Sequence, residues 1–195
     1  AIEKAERQLT DKINELHTGS HEKHENPHWN HDTKEGVEGP AYWGGLKADW
    51  EIADKGIRQS PINIESTHAF STSPSLSAIG FHYKKTEFKI KNNGHTIQVD
   101  CKDPMNTITI NGQNYDLLQF HFHARSEHTI DGKPYPMELH IVHELSPRAV
   151  YDKSAVKYAV VGVMIEEWEE EGPPNPLIDK LWEKLAKAND ENEDD

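Results

Sequence analysis

The chain has 195 residues, the size of one domain with or without tails, and a formal net charge of −13. This acidic balance argues against nucleic acid and anionic membrane surfaces as partners, because both attract basic patches. The single cysteine, Cys101, excludes an intramolecular disulfide and a zinc site built from several thiolates. No apolar stretch reaches the length of a membrane span, and the N-terminus lacks the basic-then-apolar pattern of a secretory signal.

The first 40 residues are polar. Residues 1–16 carry apolar side chains at intervals of three and four, which predicts a short amphipathic helix. The following segment, 17–40, is rich in histidine and is either a solvated leader or a segment that collects metal. The sequence therefore predicts a polar leader over 1–28, a folded domain over 29–188 and an acidic tail over 189–195.

Seven short segments after residue 79 are rich in β-branched and aromatic residues, and most are bounded by Gly, Asn, Asp or Pro, which is typical of strands. They are GFHYK, EFKIKNN, HTIQVD, NTITING, YDLLQFHFHA, MELHIVHEL and YAVVGVMIEEW. The Asn-Gly pairs in NNGH and INGQ indicate hairpins. PLIDKLWEKLAKA predicts a helix with one apolar face made of Leu177, Ile178, Leu181, Trp182 and Leu185. We expect a mainly β or α+β fold with a large, mostly antiparallel twisted central sheet and short peripheral helices.

Histidines alternate with apolar residues on two of these predicted strands. In FHFHA, His121 and His123 point to one face, because successive side chains of a strand alternate. In MELHIVH, Glu138 and His140 share a face in the same way. Two neighbouring strands with this pattern can bring three imidazoles to one point, and three imidazoles with an open position are typical of catalytic zinc. Imidazole also binds copper, iron and nickel, so the pattern alone leaves the metal open.

A second interpretation of the same stretch is a cupin-type metal site. HFHARSE matches the cupin spacing His-x-His-x-x-x-Glu, in which Glu127 would be a ligand. The glycines expected on either side are replaced by Tyr115 and Pro134, and the later Gly-His-Asn half of the pattern is absent. The sequence therefore disfavours a cupin.

The wider sequence resembles the α-class carbonic anhydrases. FHFHARSEH and MELHIVH are similar to the zinc-binding core of that family, and PAYWGGL resembles its Pro-x-x-Trp-Gly-x-Leu motif. RQSPINI resembles its Gln-Ser-Pro-(Ile/Val)-Asn-Ile motif, NNGHTIQV the loop that holds its proton-shuttle histidine, and YAVVGVMIE a later pocket strand. These blocks run from Trp29 to Trp168 in the family's order.

The resemblance implies a zinc enzyme that reversibly hydrates carbon dioxide to bicarbonate and a proton. Its zinc ligands would be His121, His123 and His140. Gln119 would orient His121, and Glu138 would orient a ligand imidazole. The partners it implies are carbon dioxide and bicarbonate, without nucleic acid or membrane. A periplasmic or secreted location is a further expectation from the family. A homodimer is a possible assembly.

Further roles follow from the same resemblance. Glu127 would orient the hydroxyl gate above the metal. His95 would relay protons to buffer, a role that suits an imidazole near neutral pH. Val142 and Val160 would line the apolar wall where carbon dioxide rests.

The sequence also departs from the family pattern. The family's Tyr soon after a His-Trp pair is replaced by His31 beside Trp29. Past the C-terminal helix, family members continue into a Leu-Thr-Thr-Pro-Pro stretch and further strands, so we expect a fold that lacks the family's C-terminal strands and a Glu127 without its Thr partner. The sequence leaves three explanations open: a piece of a longer protein, pairing supplied by a partner copy, or a shortened relative with weakened activity.

Two alternatives to an enzyme stay open as well. The first is a carbonic-anhydrase-like metal-binding or structural module with weak or no hydratase activity, which the missing C-terminal pattern favours. The second is a metal scavenger that uses the N-terminal histidines and the acidic tail, and deletion of residues 1–28 would lower metal uptake sharply only in that case.

Overall fold

The structure is a computed structural model that describes residues 27, 29–31, 39–69, 78–92, 96–101, 103–148, 156–167 and 175–190. The predicted N-terminal helix and most of the histidine-rich segment lie outside these residues. Within them, no helix combines the length and the apolar character needed to cross a membrane.

All seven predicted strand segments form strands. The strands in chain order are β1 (Asn63–Ile64), β2 (Gly80–His82), β3 (Phe88–Asn92), β4 (Ile97–Cys101), β5 (Thr107–Ile110), β6 (Gln113–Ala124), β7 (Thr129–Ile130), β8 (Lys133–Pro134), β9 (Met137–Leu145) and β10 (Tyr158–Ile165). The helices are α1 (Trp43–Leu46), α2 (Ile52–Lys55) and α3 (Pro176–Asp190), with 3-10 turns at Pro40–Tyr42, Ala48–Trp50 and Ser66–His68. The short helices α1 and α2 lie on either side of Trp50, in a segment whose sequence carries no helical periodicity.

Seven strands build one antiparallel sheet. Its main path runs β10-β9-β6-β4-β3, and β5 pairs with both β6 and β2. The long strand β6 makes this possible, because its first half pairs with β5 and its second half with β4, while its other edge pairs with β9. A smaller sheet contains β1, β7 and β8. The prediction of a large, mostly antiparallel sheet with short peripheral helices is confirmed.

Turn chemistry agrees with the sequence where the turn is described. Asn111 and Gly112, between β5 and β6, both have positive φ, of 49° and 78°. A tight hairpin needs this conformation, and Asn and Gly adopt it most easily. Asp131 and Gly132 join β7 and β8 in the same conformation. This second hairpin has no strand pattern in the sequence, because each of its strands has only two residues.

The hydrophobic core lies between the main sheet and α3. Val99 of β4, Phe122 of β6 and Leu181 of α3 are at most 2% exposed and belong to one cluster. Ile178 packs against this cluster, as the helix pattern predicts. Leu177 is 46% exposed, although its i,i+4 spacing from Leu181 places both side chains on the same side of the helix. Leu177 lies in the first turn of α3, directly after Pro176. The structure does not describe the side chains at positions 182 and 185, the two other residues predicted for the apolar face of this helix.

Candidate metal centre

Three histidines of two neighbouring strands converge on one face of the main sheet. In the antiparallel pairing of β6 with β9, His121 lies opposite His140, and His123 lies opposite Glu138. Because side chains alternate along each strand, this register places all four side chains on the same face, with Phe122 on the other. One ring nitrogen from each of the three histidines lies within 4.8 Å of the others. The three ring centroids are 4.6 to 5.4 Å apart.

Neighbouring polar groups orient two of these rings. Oε1 of Gln119 lies 2.9 Å from Nδ1 of His121, and an amide oxygen only accepts, so Nδ1 carries the proton and Nε2 stays available as a ligand. Oε1 of Glu138 lies 2.9 Å from Nε2 of His140, without the alignment of a hydrogen bond. This contact leaves Nδ1 of His140 as its available ligand atom. Outer contacts of this kind select the nitrogen that binds a metal.

Buried surroundings keep the imidazoles of His121 and His123 neutral. Burial lowers the pKa of His123 to about 4, although the Glu127 carboxylate opposes the shift. Burial, with the charge of His140, also lowers the pKa of His121. A metal binds the neutral form of imidazole, so both side chains are in the right state at neutral pH.

An unsatisfied nitrogen shows that the three-histidine set fits a metal ion. Nε2 of His123 is buried and makes no hydrogen bond. Leaving a buried polar atom unpaired costs about 1–3 kcal/mol, so such an atom calls for a partner. Coordination to a cation would satisfy Nε2 of His123 together with the available nitrogens of His121 and His140. Three imidazoles are a donor set that suits zinc.

Glu127 lies beside the three-histidine set and contacts three imidazoles. Its Oε1 is 3.3 Å from Nδ1 of His31, and its Oε2 is 3.3 Å from Nε2 of His123 and 3.7 Å from Nδ1 of His140. Burial alone would raise the pKa of the Glu127 carboxyl. The hydrogen-bonding contact with His31 and the charges of His123, His31 and His140 outweigh burial and hold this pKa below its usual value. Glu127 therefore presents a carboxylate to the space in front of the three clustered histidines.

The site opens into a cavity of about 580 Å³. The lining of this cavity combines aromatic and apolar residues with the three histidines, Gln119 and Glu127. The aromatic and apolar residues are Trp29, Trp43, Trp50, Ala53 and Pro61. A second cavity of about 470 Å³ lies on the other side of Glu127 and His140 and extends to β10. The first cavity has the mixed lining that small-molecule sites usually show.

Of the remaining predicted site residues, His95, Val142 and Val160, the structure describes the two valines. His95 lies outside the described residues. Val142 and Val160 are cross-strand partners on β9 and β10. Val160 lines the second cavity and is 53% exposed, and neither valine lines the first cavity. The role of the two valines as an apolar wall stays a prediction. The apolar residues that line the first cavity together with the histidines are mostly tryptophans.

Two further histidines have structural partners. His143 is fully buried on the opposite face of β9, where its Nε2 lies 2.8 Å from the Tyr83 hydroxyl and its Nδ1 3.3 Å from the carbonyl oxygen of Ala159. His128 is hydrogen-bonded to Glu138, at 2.7 Å, and its side chain is 20% exposed. His143 thus faces away from the three clustered histidines.

His31 is the site residue whose contact sequence reasoning missed. The sequence marks His31 only as a departure from the family's Tyr, which places position 31 near the site without saying what it touches. The contact with Glu127 joins residues far apart in the chain, so no periodic pattern reports it.

The fold and the site together define a mainly β protein with a candidate three-imidazole metal centre. Comparison with known proteins identifies its family: the chain belongs to the carbonic anhydrases, since the model of the eukaryotic-type carbonic anhydrase family matches residues 38–195. It is 41% identical over 161 residues to a carbonic anhydrase of Klebsiella pneumoniae, which covers 82% of this chain and 58% of that protein.

Solved structures show the same fold. The α-carbonic anhydrase of Thermovibrio ammonificans, in complex with the inhibitor sulfanilamide, matches with a TM-score of 0.64 and 35% identity over 80% of this chain and 61% of that chain. Dioscorin, in complex with ascorbate, matches with a TM-score of 0.68 and 28% identity over 82% and 61%. The chain therefore spans about three fifths of the length of these relatives.

Proposed function

We propose that the chain is a zinc-dependent carbonic anhydrase that reversibly converts carbon dioxide and water into bicarbonate and a proton. The observation that carries the proposal is the convergence of His121, His123 and His140, whose ligand atoms lie within 4.8 Å of one another. Their origin on adjacent strands of a carbonic anhydrase fold supports the same conclusion.

Zinc would be held by His121, His123 and His140. When bound, zinc lowers the pKa of a water molecule to near 7 and supplies a nucleophile at neutral pH, an effect for which carbonic anhydrase is itself the usual example. Gln119 and Glu138 hold the rings of His121 and His140 in the orientation that leaves one nitrogen of each free. We propose zinc over copper, iron and nickel because of the family, since the imidazoles alone accept all four.

The residues around the three histidines supply placement and charge. Carbon dioxide is small and uncharged. The tryptophan-rich part of the lining of the first cavity would therefore suit it better than a polar surface would. Oε2 of Glu127 faces the same space and would accept a hydrogen bond from a bound molecule. His95 would carry the released proton to buffer, as the family pattern implies.

Several finer expectations remain proposals. The periplasmic or secreted location, the homodimer and the division of the chain at residues 28 and 188 come from the resemblance and the sequence. A carbonic-anhydrase-like module with weak or no turnover is the second candidate function.

Metal analysis and stopped-flow hydration of carbon dioxide test the proposal. We expect about one zinc per chain and hydration that sulfanilamide inhibits, since that compound binds the Thermovibrio relative. His140→Ala should lose both zinc and activity, whereas His68→Ala, an exposed histidine paired with Glu65, should keep both. A zinc-loaded chain without inhibitable hydration would support the module instead, and a chain that binds no zinc through His140 would contradict the proposed enzyme and the metal-binding form of the module.

A further inference from the structure

Aromatic packing brings residues 29–31 to the mouth of the metal site. The rings of Trp29, His31 and Trp43 form a triangle, with each pair of centroids 5.3 Å apart and meeting edge to face. The indole N–H of Trp43 donates to the carbonyl oxygen of Asn30 at 3.2 Å, which ties the backbone of this segment to α1. His31 therefore has a defined position rather than that of a loose surface histidine.

From this position His31 reaches one oxygen of Glu127. Nδ1 of His31 lies 3.3 Å from Oε1 of Glu127, and the His31 ring is 5.2 Å from the His123 ring. The other oxygen, Oε2, faces Nε2 of His123 and Nδ1 of His140 at 3.3 and 3.7 Å. The two oxygens of Glu127 thus face different partners. Oε1 faces His31, and Oε2 faces the ring nitrogens of His123 and His140.

This division of contacts has a geometric consequence. A glutamate side chain rotates about three bonds, so a carboxylate held at one oxygen only can turn the other away. Of the three imidazoles that contact Glu127, His123 and His140 offer the nitrogens that would bind the metal. His31 is the contact that stays with the carboxylate when those nitrogens are engaged.

We propose that His31 is a positioning residue that holds the Glu127 carboxylate facing the metal centre and thereby strengthens metal binding. The inference rests on the proposed three-histidine zinc site and adds a group that the sequence motifs do not assign. Groups that orient the surroundings of a metal typically contribute about 10- to 100-fold to metal affinity. The Glu127 carboxylate would lie close to a dication bound by the histidines, so its position would change the electrostatic attraction between the two.

Zinc affinity of the full chain, measured by competition with a chelator, tests the inference without relying on activity. His31→Phe keeps an aromatic ring against Trp29 and Trp43 but removes the donor. His31→Asn removes the ring but places an amide nitrogen close to the position of Nδ1, whereas His31→Gln places it nearer to that of Nε2. We expect about 10-fold weaker zinc binding for the Phe and Gln variants, and binding within about threefold of the parent for the Asn variant.

A role in packing alone predicts the opposite order, with the Phe variant normal and the Asn variant impaired. His31→Phe in a Glu127→Gln background should add less than about a twofold change, because the residue acts through that carboxylate. Circular dichroism of the metal-free variants checks that each is folded. Normal zinc affinity in His31→Phe, failure of His31→Asn to restore it, or a full effect in the Glu127→Gln background would each overturn the inference.

The experiment separates this inference from the proposed function. If the parent chain binds no zinc in a manner that His140→Ala abolishes, the three-histidine site itself fails and the inference fails with it. If the parent binds zinc through His140 and the His31 variants match it, only the positioning role is wrong.

Discussion

Nδ1 of His128 lies 2.7 Å from Oε1 of Glu138, a carboxylate with no exposed surface. The other oxygen, Oε2, accepts the backbone N–H groups of Glu127 and His128 at 2.9 and 3.0 Å. Burial alone would raise the pKa of the Glu138 carboxyl, but the hydrogen bonds from His128 and the contact with His140 outweigh it and hold the pKa below its usual value. Glu138 therefore ties the segment after β6 to β9 and fixes the base of the three-histidine cluster.

Glu138→Gln should weaken both the fold and the metal site. The amide nitrogen of the new Gln is itself a donor. It would face N–H groups whose hydrogen bonds the carboxylate now accepts, so buried N–H groups would lose their acceptor. We expect a loss of about 2–4 kcal/mol in the free energy of unfolding and about 10- to 100-fold in zinc affinity. Urea unfolding of the metal-free chain and chelator competition measure the two effects. Glu144→Gln, at a half-buried position on the same strand, is the control and should change neither strongly.

Gly162→Ala should disturb the same carboxylate from the neighbouring strand. A Cβ atom at this position would lie 2.8 Å from Oε1 of Glu138, closer than real Cβ contacts. The Glu138 side chain is held by three hydrogen bonds, so it has little room to retreat. We expect about 1–3 kcal/mol of destabilisation by thermal or urea unfolding.

Gly45→Ala is the matched control for this substitution, because a Cβ atom there would meet nothing within 4 Å. It lies in the helix α1, where alanine is favoured over glycine, and should leave stability equal or slightly higher. Equal stability of the Gly162→Ala variant and the parent would show that Glu138 moves freely.

Acid should destabilise the metal-free protein from about pH 6.5 downward. The pKa of His123 falls from an ordinary value of 6.5 to about 4 on folding, so between these values the unfolded chain binds more protons than the folded chain. Stability therefore decreases as pH falls through this range, by about 3 kcal/mol for this group alone. Burial shifts the pKa values of His121 and His143 in the same direction.

Urea midpoints of the metal-free chain at about pH 7 and about pH 5 measure this dependence. His123→Gln should reduce the slope of stability against pH, because it removes a group whose pKa falls to about 4 on folding. A midpoint that is constant across this range would contradict a neutral, buried His123.

Phe122→Ala should test the core on the face opposite the histidines. Phe122 is 2% exposed and packs with Val99 and Leu181. Truncation should cost about 3–5 kcal/mol of unfolding free energy, because it leaves a cavity between the sheet and α3. Phe81→Ala, at a 55% exposed position on β2, should cost far less in the same urea titration. Similar losses in the two variants would argue against this core.

Local patterns predicted the strands well. Alternation of apolar and polar residues in YDLLQFHFHA and MELHIVHEL is a property of the chain over a few residues, and β6 and β9 occupy those segments. The helix pattern likewise predicts α3, although Leu177, in its first turn, is exposed and Leu181 is buried. The hairpin at Asn111 follows from turn chemistry that only two residues determine.

Contacts between distant segments were not predictable in this way. The contact of His31 with Glu127 depends on the tryptophan triangle that brings residues 29–31 to the sheet. The exposure of Val160 depends on strand order, since among the described strands β10 pairs with β9 alone. Neither property has a periodic signal along the chain.

The sequence by itself determined which histidines share a face of their strands, because side-chain alternation is set by backbone geometry within each strand. It also determined the family, through motifs that follow one another in the expected order. Only the tertiary structure decided that His121 lies opposite His140 and that His31 reaches Glu127. Strand register and aromatic packing arise from contacts between segments far apart in the chain, and the free energy of those contacts is decided only when the whole sheet is assembled.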